Sequence, residues 1–156
     1  MIERHRLPAL VLSLVLLVLA IPMAYAREMV SVARGEVNMR SGPSDRHEVV
    51  WVLSRGYPLS VVGRKGSWIK VRDFENDQGW VLRSLTSRTP HHIVSANVAN
   101  LRGTPSRRGR IVGKARHGDV LRTLERRGEW VKVRHSRGTT GWVARRLFLG
   151  KIKGWW

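Results

Sequence analysis

Gly66-Ser67-Trp68-Ile69-Lys70-Val71-Arg72 and Gly128-Glu129-Trp130-Val131-Lys132-Val133-Arg134 decide the fold. In the first, Trp68, Lys70 and Arg72 share one side of an extended chain, and Ile69 and Val71 share the other. The second repeats that alternation residue for residue. A strict period of two with one apolar side is the pattern of a half-buried antiparallel strand. Before each run, Arg64-Lys65-Gly66-Ser67 and Arg126-Arg127-Gly128-Glu129 predict a hairpin turn, with glycine supplying a positive φ.

The two stretches lie 62 residues apart, and the offset holds without a gap. Asn38-Met39-Arg40 returns as Asn100-Leu101-Arg102, Pro43-Ser44 as Pro105-Ser106, and Gly56 as Gly118. Gly79-Trp80-Val81 returns as Gly141-Trp142-Val143, and Leu85 as Leu147. Glycine, proline and tryptophan keep register while surface positions change, so one small fold is used twice. No segment beyond residue 26 sustains a 3.6-residue period, which predicts an all-β chain of two tandem small barrels. The boundaries are a first barrel over 27–87, a linker and incoming strand over 88–97, a second barrel over 98–149 and a basic, tryptophan-bearing tail over 150–156.

This order of residues resembles the bacterial SH3-like domain family: Asn-x-Arg-x-x-Pro, a glycine before a strand pair, Gly-x-Trp-x-Lys-Val, Gly-Trp-Val, and a short turn ending in leucine. The first repeat, through 52–59 and Trp68-Ile69-Lys70-Val71-Arg72-Asp73, is similar to exported tandem proteins of that family in Gram-negative bacteria. The resemblance implies five- or six-stranded barrels with a single-turn helix near Arg83-Ser84-Leu85 and Arg145-Arg146-Leu147. It also implies a binding role, toward peptidoglycan peptides or proteins.

Residues 1–26 read as a secretory signal peptide. Arg4, His5 and Arg6 precede an apolar run from Leu7 to Ala20, Pro22 breaks it, and Ala24-Tyr25-Ala26 is a small-residue cleavage site. The rival is an inner-membrane anchor through residues 7–26. The chain contains no cysteine, so each barrel rests on its apolar core, and thiolate catalysis and thiolate metal sites are excluded. The net charge is +18, and the signal segment accounts for one unit of it. Residues 37–85 hold 8 basic against 5 acidic residues, while 99–147 hold 14 against 3. Such an excess opposes compaction and points to an anionic partner or to solubility alone.

Candidate ligand-binding residues are Arg40, Trp51, Trp68, Trp80, Arg102, Trp130 and Trp142. The paired tryptophans read either as core or as the aromatic wall of a shallow groove. Trp51 has Gly113 as its counterpart, which favours an exposed ring. Arg40 and Arg102 could pair with an internal acid or with a ligand carboxylate. Asn38 and Asn100 are expected to fix a turn. Candidates for an anionic surface are Arg107, Arg108, Arg110, Lys114, Arg116, Arg122, Arg126, Arg127 and Arg137. Asp73, Glu75 and Asp77 alternate as in a calcium loop, but Gly79 and Ser84 fall at the wrong places, so the stretch reads as a hairpin tip. His91 and His92 are adjacent and face opposite ways on a strand, a poor chelate; no metal or cofactor is expected. Phe148, Ile152, Trp155 and Trp156, beside lysines, suit either a membrane interface or a barrel cover.

No nucleophile elbow and no recurring carboxylate pair is present, so the expectation is no enzyme. The sequence reads as a non-catalytic exported protein of the periplasm. Its modules would bind or scaffold, recognising peptidoglycan peptides, a protein partner or an anionic lipid or polymer surface. Two alternatives stand beside it. A basic small barrel could bind nucleic acid, against which the signal peptide argues. The chain could also be an accessory subunit of a cell-wall enzyme.

Overall fold

The computed structural model describes residues 28–149. The signal segment and the tail from Gly150 to Trp156 lie outside the described residues. The first sheet is built from β1 (Met29–Val32), β2 (Val37–Arg40), β3 (Val49–Leu53), β4 (Pro58–Lys65), β5 (Trp68–Arg72), β6 (Gln78–Leu82) and β7 (Thr86–Ser87). They hydrogen-bond in the order β3-β2-β6-β5-β4-β1-β7. The second sheet uses β8 (His91–Ile93), β9 (Val98–Arg102), β10 (Ile111–Arg116), β11 (Val120–Arg127), β12 (Trp130–Arg134) and β13 (Thr140–Ala144), ordered β10-β9-β13-β12-β11-β8. A bridge between Val94 and Phe148 takes the place of the β1–β7 pairing. Single 3-10 turns follow at Arg83–Leu85 and Arg145–Leu147, where the resemblance placed them.

The alternation read from the sequence becomes burial. Ile69 and Val71 in β5, and Val131 and Val133 in β12, are buried, while Trp68, Lys70, Trp130 and Lys132 face out and stay partly exposed. Gly66 and Gly128 adopt φ of 56° and 53°, the left-handed conformation that a tight hairpin needs. The two cores superpose on the 62-residue offset: Val32 on Val94, Met39 on Leu101, Leu59 on Leu121, Ile69 on Val131 and Val81 on Val143. Gly79 and Gly141 let β6 and β13 cross the neighbouring strand. A Cβ on Gly141 would stand 2.8 Å from Leu101 Cβ and 3.2 Å from the Arg102 backbone nitrogen.

The second core has Ala99 for Val37, Ala115 for Leu53 and Phe148 for Thr86, and it holds a polar pair that the first lacks. His92 and Thr123 stand where the first barrel has Val30 and Val61. Both are buried, His92 Nδ1 lies 2.6 Å from Thr123 Oγ1, and the imidazole packs on Phe148 at 4.8 Å between ring centres. Burial first, then the charge of Arg126 and neighbouring His91, push the His92 imidazole down to about 4. Asn38 and Asn100 correct an expectation. Each lies inside a strand, opposite Val52 and Lys114, rather than at a turn. Pairing on a sheet outweighs the local turn preference of asparagine there.

Candidate functional site

In each barrel an arginine ties down the loop between its second and third strands. Arg40 Nη1 donates to the carbonyl of His47 and Arg102 Nη1 to the carbonyl of Gly109, both at 2.8 Å. Ser41 N–H donates to Glu48 O and Gly103 N–H to Arg110 O, each at 2.9 Å. Ser44 Oγ and Ser106 Oγ accept the N–H of Arg46 and Arg108 at 3.2 Å. The two arginines therefore answer to a backbone carbonyl, not to an internal carboxylate. The first loop carries Asp45, Arg46 and Glu48, whereas the second carries Arg107, Arg108 and Arg110, all exposed. A bonded frame thus presents a mixed tip on one barrel and a purely basic tip on the other.

The strand register sets Arg40 beside Trp80 and Arg102 beside Trp142. Trp142 is only 5% exposed because cations cover its ring. Arg127 Cζ stands 5.2 Å and Lys132 Nζ 5.9 Å from its centroid. Both sit within the reach of cation–π attraction. Trp68, Trp80 and Trp130 are half-buried. Trp51 is 53% exposed on β3, an edge strand, flanked by exposed Val49, Val50 and Val52. The predicted binding residues therefore do not form one groove. Arg102, Trp142 and Arg127 come together, and Trp51 stands apart on the first barrel. Of the basic candidates, Lys114 and Arg116 lie on β10, Arg122, Arg126 and Arg127 on β11, and Arg137 in the β12–β13 hairpin. All are exposed.

The β12–β13 hairpin holds a pair that sequence reasoning missed. His135 Nδ1 accepts the N–H of Arg137 at 3.1 Å, and His135 Nε2 donates to Asp119 Oδ2 at 3.2 Å. In the first barrel the same turn is closed by Asp73 Oδ1, which accepts the N–H of Glu75 and Asp77 at 2.9 Å. The 62-residue offset aligns His135 with Asp73, the only signal that could have found it. Burial alone would raise the Asp119 carboxyl, but the Arg116 N–H and the His135 imidazole outweigh it and hold Asp119 below its ordinary value. Asp73, Glu75 and Asp77 do gather, with one oxygen of each within 4.8 Å of the others. Burial raises the Asp73 carboxyl, the turn's N–H groups oppose that, and Asp77 adds to it. Burial, then those three acids in order, push the Tyr57 hydroxyl above the ordinary phenol value.

Among known proteins, the chain is 21% identical over 124 residues to a Bacillus subtilis protein named "Putative N-acetylmuramoyl-L-alanine amidase YrvJ". The match takes in 72% of this chain and 24% of that relative, so the chain spans about a quarter of the curated relative's length. Solved structures to which the chain is similar include NlpC1 and NlpC2 from Trichomonas vaginalis, at 17% and 15% identity. Both have a TM-score of 0.37 and cover 80% of this chain and 46% and 48% of theirs. An NlpC/P60 family protein from Bacillus cereus is 13% identical, with a TM-score of 0.37, over 78% of this chain and 55% of that one. The amidase relative corrects two expectations, a non-catalytic binding or scaffolding protein and no enzyme, and agrees better with the alternative of an accessory subunit of a cell-wall enzyme. Those rested on missing nucleophile and carboxylate patterns, a test that sees only residues of the barrels and not the chemistry with which barrels are associated. The family itself is shown directly. Residues 33–88 and 97–148 each match a bacterial SH3 domain, so the chain is a tandem of two bacterial SH3 domains.

Proposed function

We propose that the two barrels are an accessory part of a peptidoglycan hydrolase, holding amidase or peptidase chemistry against the cell wall. The observation that supports this is the match to the amidase relative, which runs through 124 residues and so through both barrels rather than one. The tied loops and the cation-covered Trp142 supply rigid, charged surfaces suited to an insoluble, carboxylate-bearing polymer. A role at the wall requires export, and the Arg4–Ala26 pattern supplies the means. The periplasm is the compartment we assign. No helix among the described residues is long and apolar enough to cross a membrane.

The test is release of soluble fragments from purified sacculi by a wall amidase, with and without the whole chain. Co-sedimentation with the sacculi together with faster release is expected. Absence of both retention and any change in rate would overturn the reading. Release by the chain alone would place the chemistry within it.

A further inference from the structure

The two barrels meet across a short, bonded seam. Only residues 88–90 separate β7 from β8. Ser31 Oγ donates to Thr89 O at 2.8 Å, and the Thr123 N–H donates to Pro90 O at 2.8 Å, so the linker is held from both sides. Gly56, in the turn between β3 and β4, packs directly on the second barrel. A Cβ there would stand 2.8 Å from the His91 ring and 3.0 Å from Val120. Arg55 is thereby carried to the edge of the second sheet.

That edge has an unusual row of side chains. Register pairs His91 with Arg122 across β8–β11, and Arg122 with Arg134 across β11–β12. Directly opposed residues in an antiparallel pair project on one face with Cβ atoms about 5 Å apart, and like charges so placed repel. The first barrel avoids this, since its corresponding row reads Met29, Ser60 and Arg72. Two cationic or ionisable groups have thus replaced Met29 and Ser60 where Arg55 also approaches. Arg55, Arg122 and Arg134 are exposed, and none makes an ion pair among the described residues. Arg134 reaches only Thr140 Oγ1, at 3.5 Å. The acidic side chains of the second barrel are engaged elsewhere: Asp119 with His135, Glu125 with Arg127 and Glu129 with Arg145. Burial and then the charges of Arg122 and Arg55 depress His91, against the opposing bond to Thr89. Arg122 stands opposite His91 in register, and Arg55 directly precedes Gly56, which packs on the His91 ring, so both belong to the seam.

We propose that Arg55, Arg122 and Arg134 form an anion cradle at the barrel–barrel seam, and that its ligand is a phosphomonoester group of an envelope lipid or polymer. A carboxylate has two oxygens and is satisfied by one bidentate guanidinium. Three guanidiniums from two barrels suit a group with three acceptor oxygens and more than one charge, which is a phosphomonoester. The ligand would relieve the repulsion between Arg122 and Arg134. The site stands whether or not the barrels serve a hydrolase.

The test titrates inorganic phosphate into the whole chain at constant ionic strength, following the NMR signals of Arg122, Arg134 and His91. Saturable binding is expected. Arg122→Ser, which installs the residue that the first barrel has at this place, should weaken it at least tenfold. Arg122→Lys keeps the charge but loses the fork, and should fall between. Replacing Arg107, Arg108 and Arg110 together with glutamine should change the affinity less than twofold. A second arm compares retention on phosphatidic acid and phosphatidylcholine vesicles. Retention on the former that is lost in Arg122→Ser identifies a lipid headgroup as the source. Equal retention of the two proteins, with phosphate still discriminating, identifies a soluble polymer. Non-saturable phosphate shifts, or equal phosphate affinity in Arg122→Ser, would overturn the cradle.

Discussion

The Asp119 carboxylate lies 3.2 Å from His135 Nε2, and the two residues occupy the places that Tyr57 and Asp73 hold in the first barrel. One turn is thus closed by an aspartate and the other by an imidazole that an aspartate orients. Because Asp119 is held below its ordinary value in the folded chain, its contribution to stability is present above the unfolded carboxylate range and is lost as pH falls through the folded one. The Asp119 carboxylate is more than a third exposed, so Asp119→Asn is expected to cost roughly 0.2–1 kcal/mol at neutral pH, less in high salt, and less at pH 2 than at neutral pH. Chemical denaturation at the two pH values checks this.

The buried His92 gives the second barrel a sensitivity to acid. Its folded value of about 4 lies below the unfolded one of 6.5. Between these values the unfolded chain takes up a proton that the folded chain refuses, so stability falls as pH drops from 6.5 to about 4. The loss should approach about 3 kcal/mol by the lower end. His92→Val with Thr123→Val, the first barrel's own pair, should flatten the pH dependence of Tm over that window. An unchanged slope would show that His92 is not its source.

In the tied loops, small and large residues trade places. The His47 ring fills the space that a side chain on Gly42 would enter, and Thr104 Oγ1 fills that of Gly109. Gly42→Thr alone should cost about 1–3 kcal/mol through overpacking. Gly42→Thr with His47→Gly should recover most of it, a strong positive coupling in a double-mutant cycle. Additive losses would contradict the shared space.

Arg102 should matter to the basic tip before it matters to the fold. Arg102→Gln removes the bond to Gly109 O and is expected to cost about 1–2 kcal/mol. Amide exchange at Gly103 and Gly109 should speed up well beyond that at Val131 or Val133, whose amides lie in the core strands. Uniform acceleration would mean that the arginine supports the whole barrel and not the loop.

Sequence revealed the frame where a backbone requirement is written in a residue type. Gly66 and Gly128 need positive φ, and Ile69 and Val71 need one buried side. Gly56 and Gly118 share a φ of 83°, again matched by identity. It revealed less where register decides. The alternation of Gly141, Trp142 and Val143 turns Trp142 away from the core, yet the ring is covered by side chains from β11 and β12, which no local pattern displays. The opposition of Arg122 and Arg134 is hidden for the same reason, since eleven residues and a strand irregularity separate them. The likeness to an amidase relative was invisible in the search for catalytic residues, because it runs through the barrels.

A gapless internal repeat also invites genetic exchange between its halves. The traded places in the loops limit where such an exchange can succeed. A junction between positions 42 and 47 of the first copy, or between 104 and 109 of the second, would join halves that were never matched. One recombinant would bring threonine and histidine into the same space, and the reciprocal one would leave two glycines and a void. Viable junctions must carry each loop whole, so these loops are inherited as units and the basic tip cannot be dealt out one residue at a time.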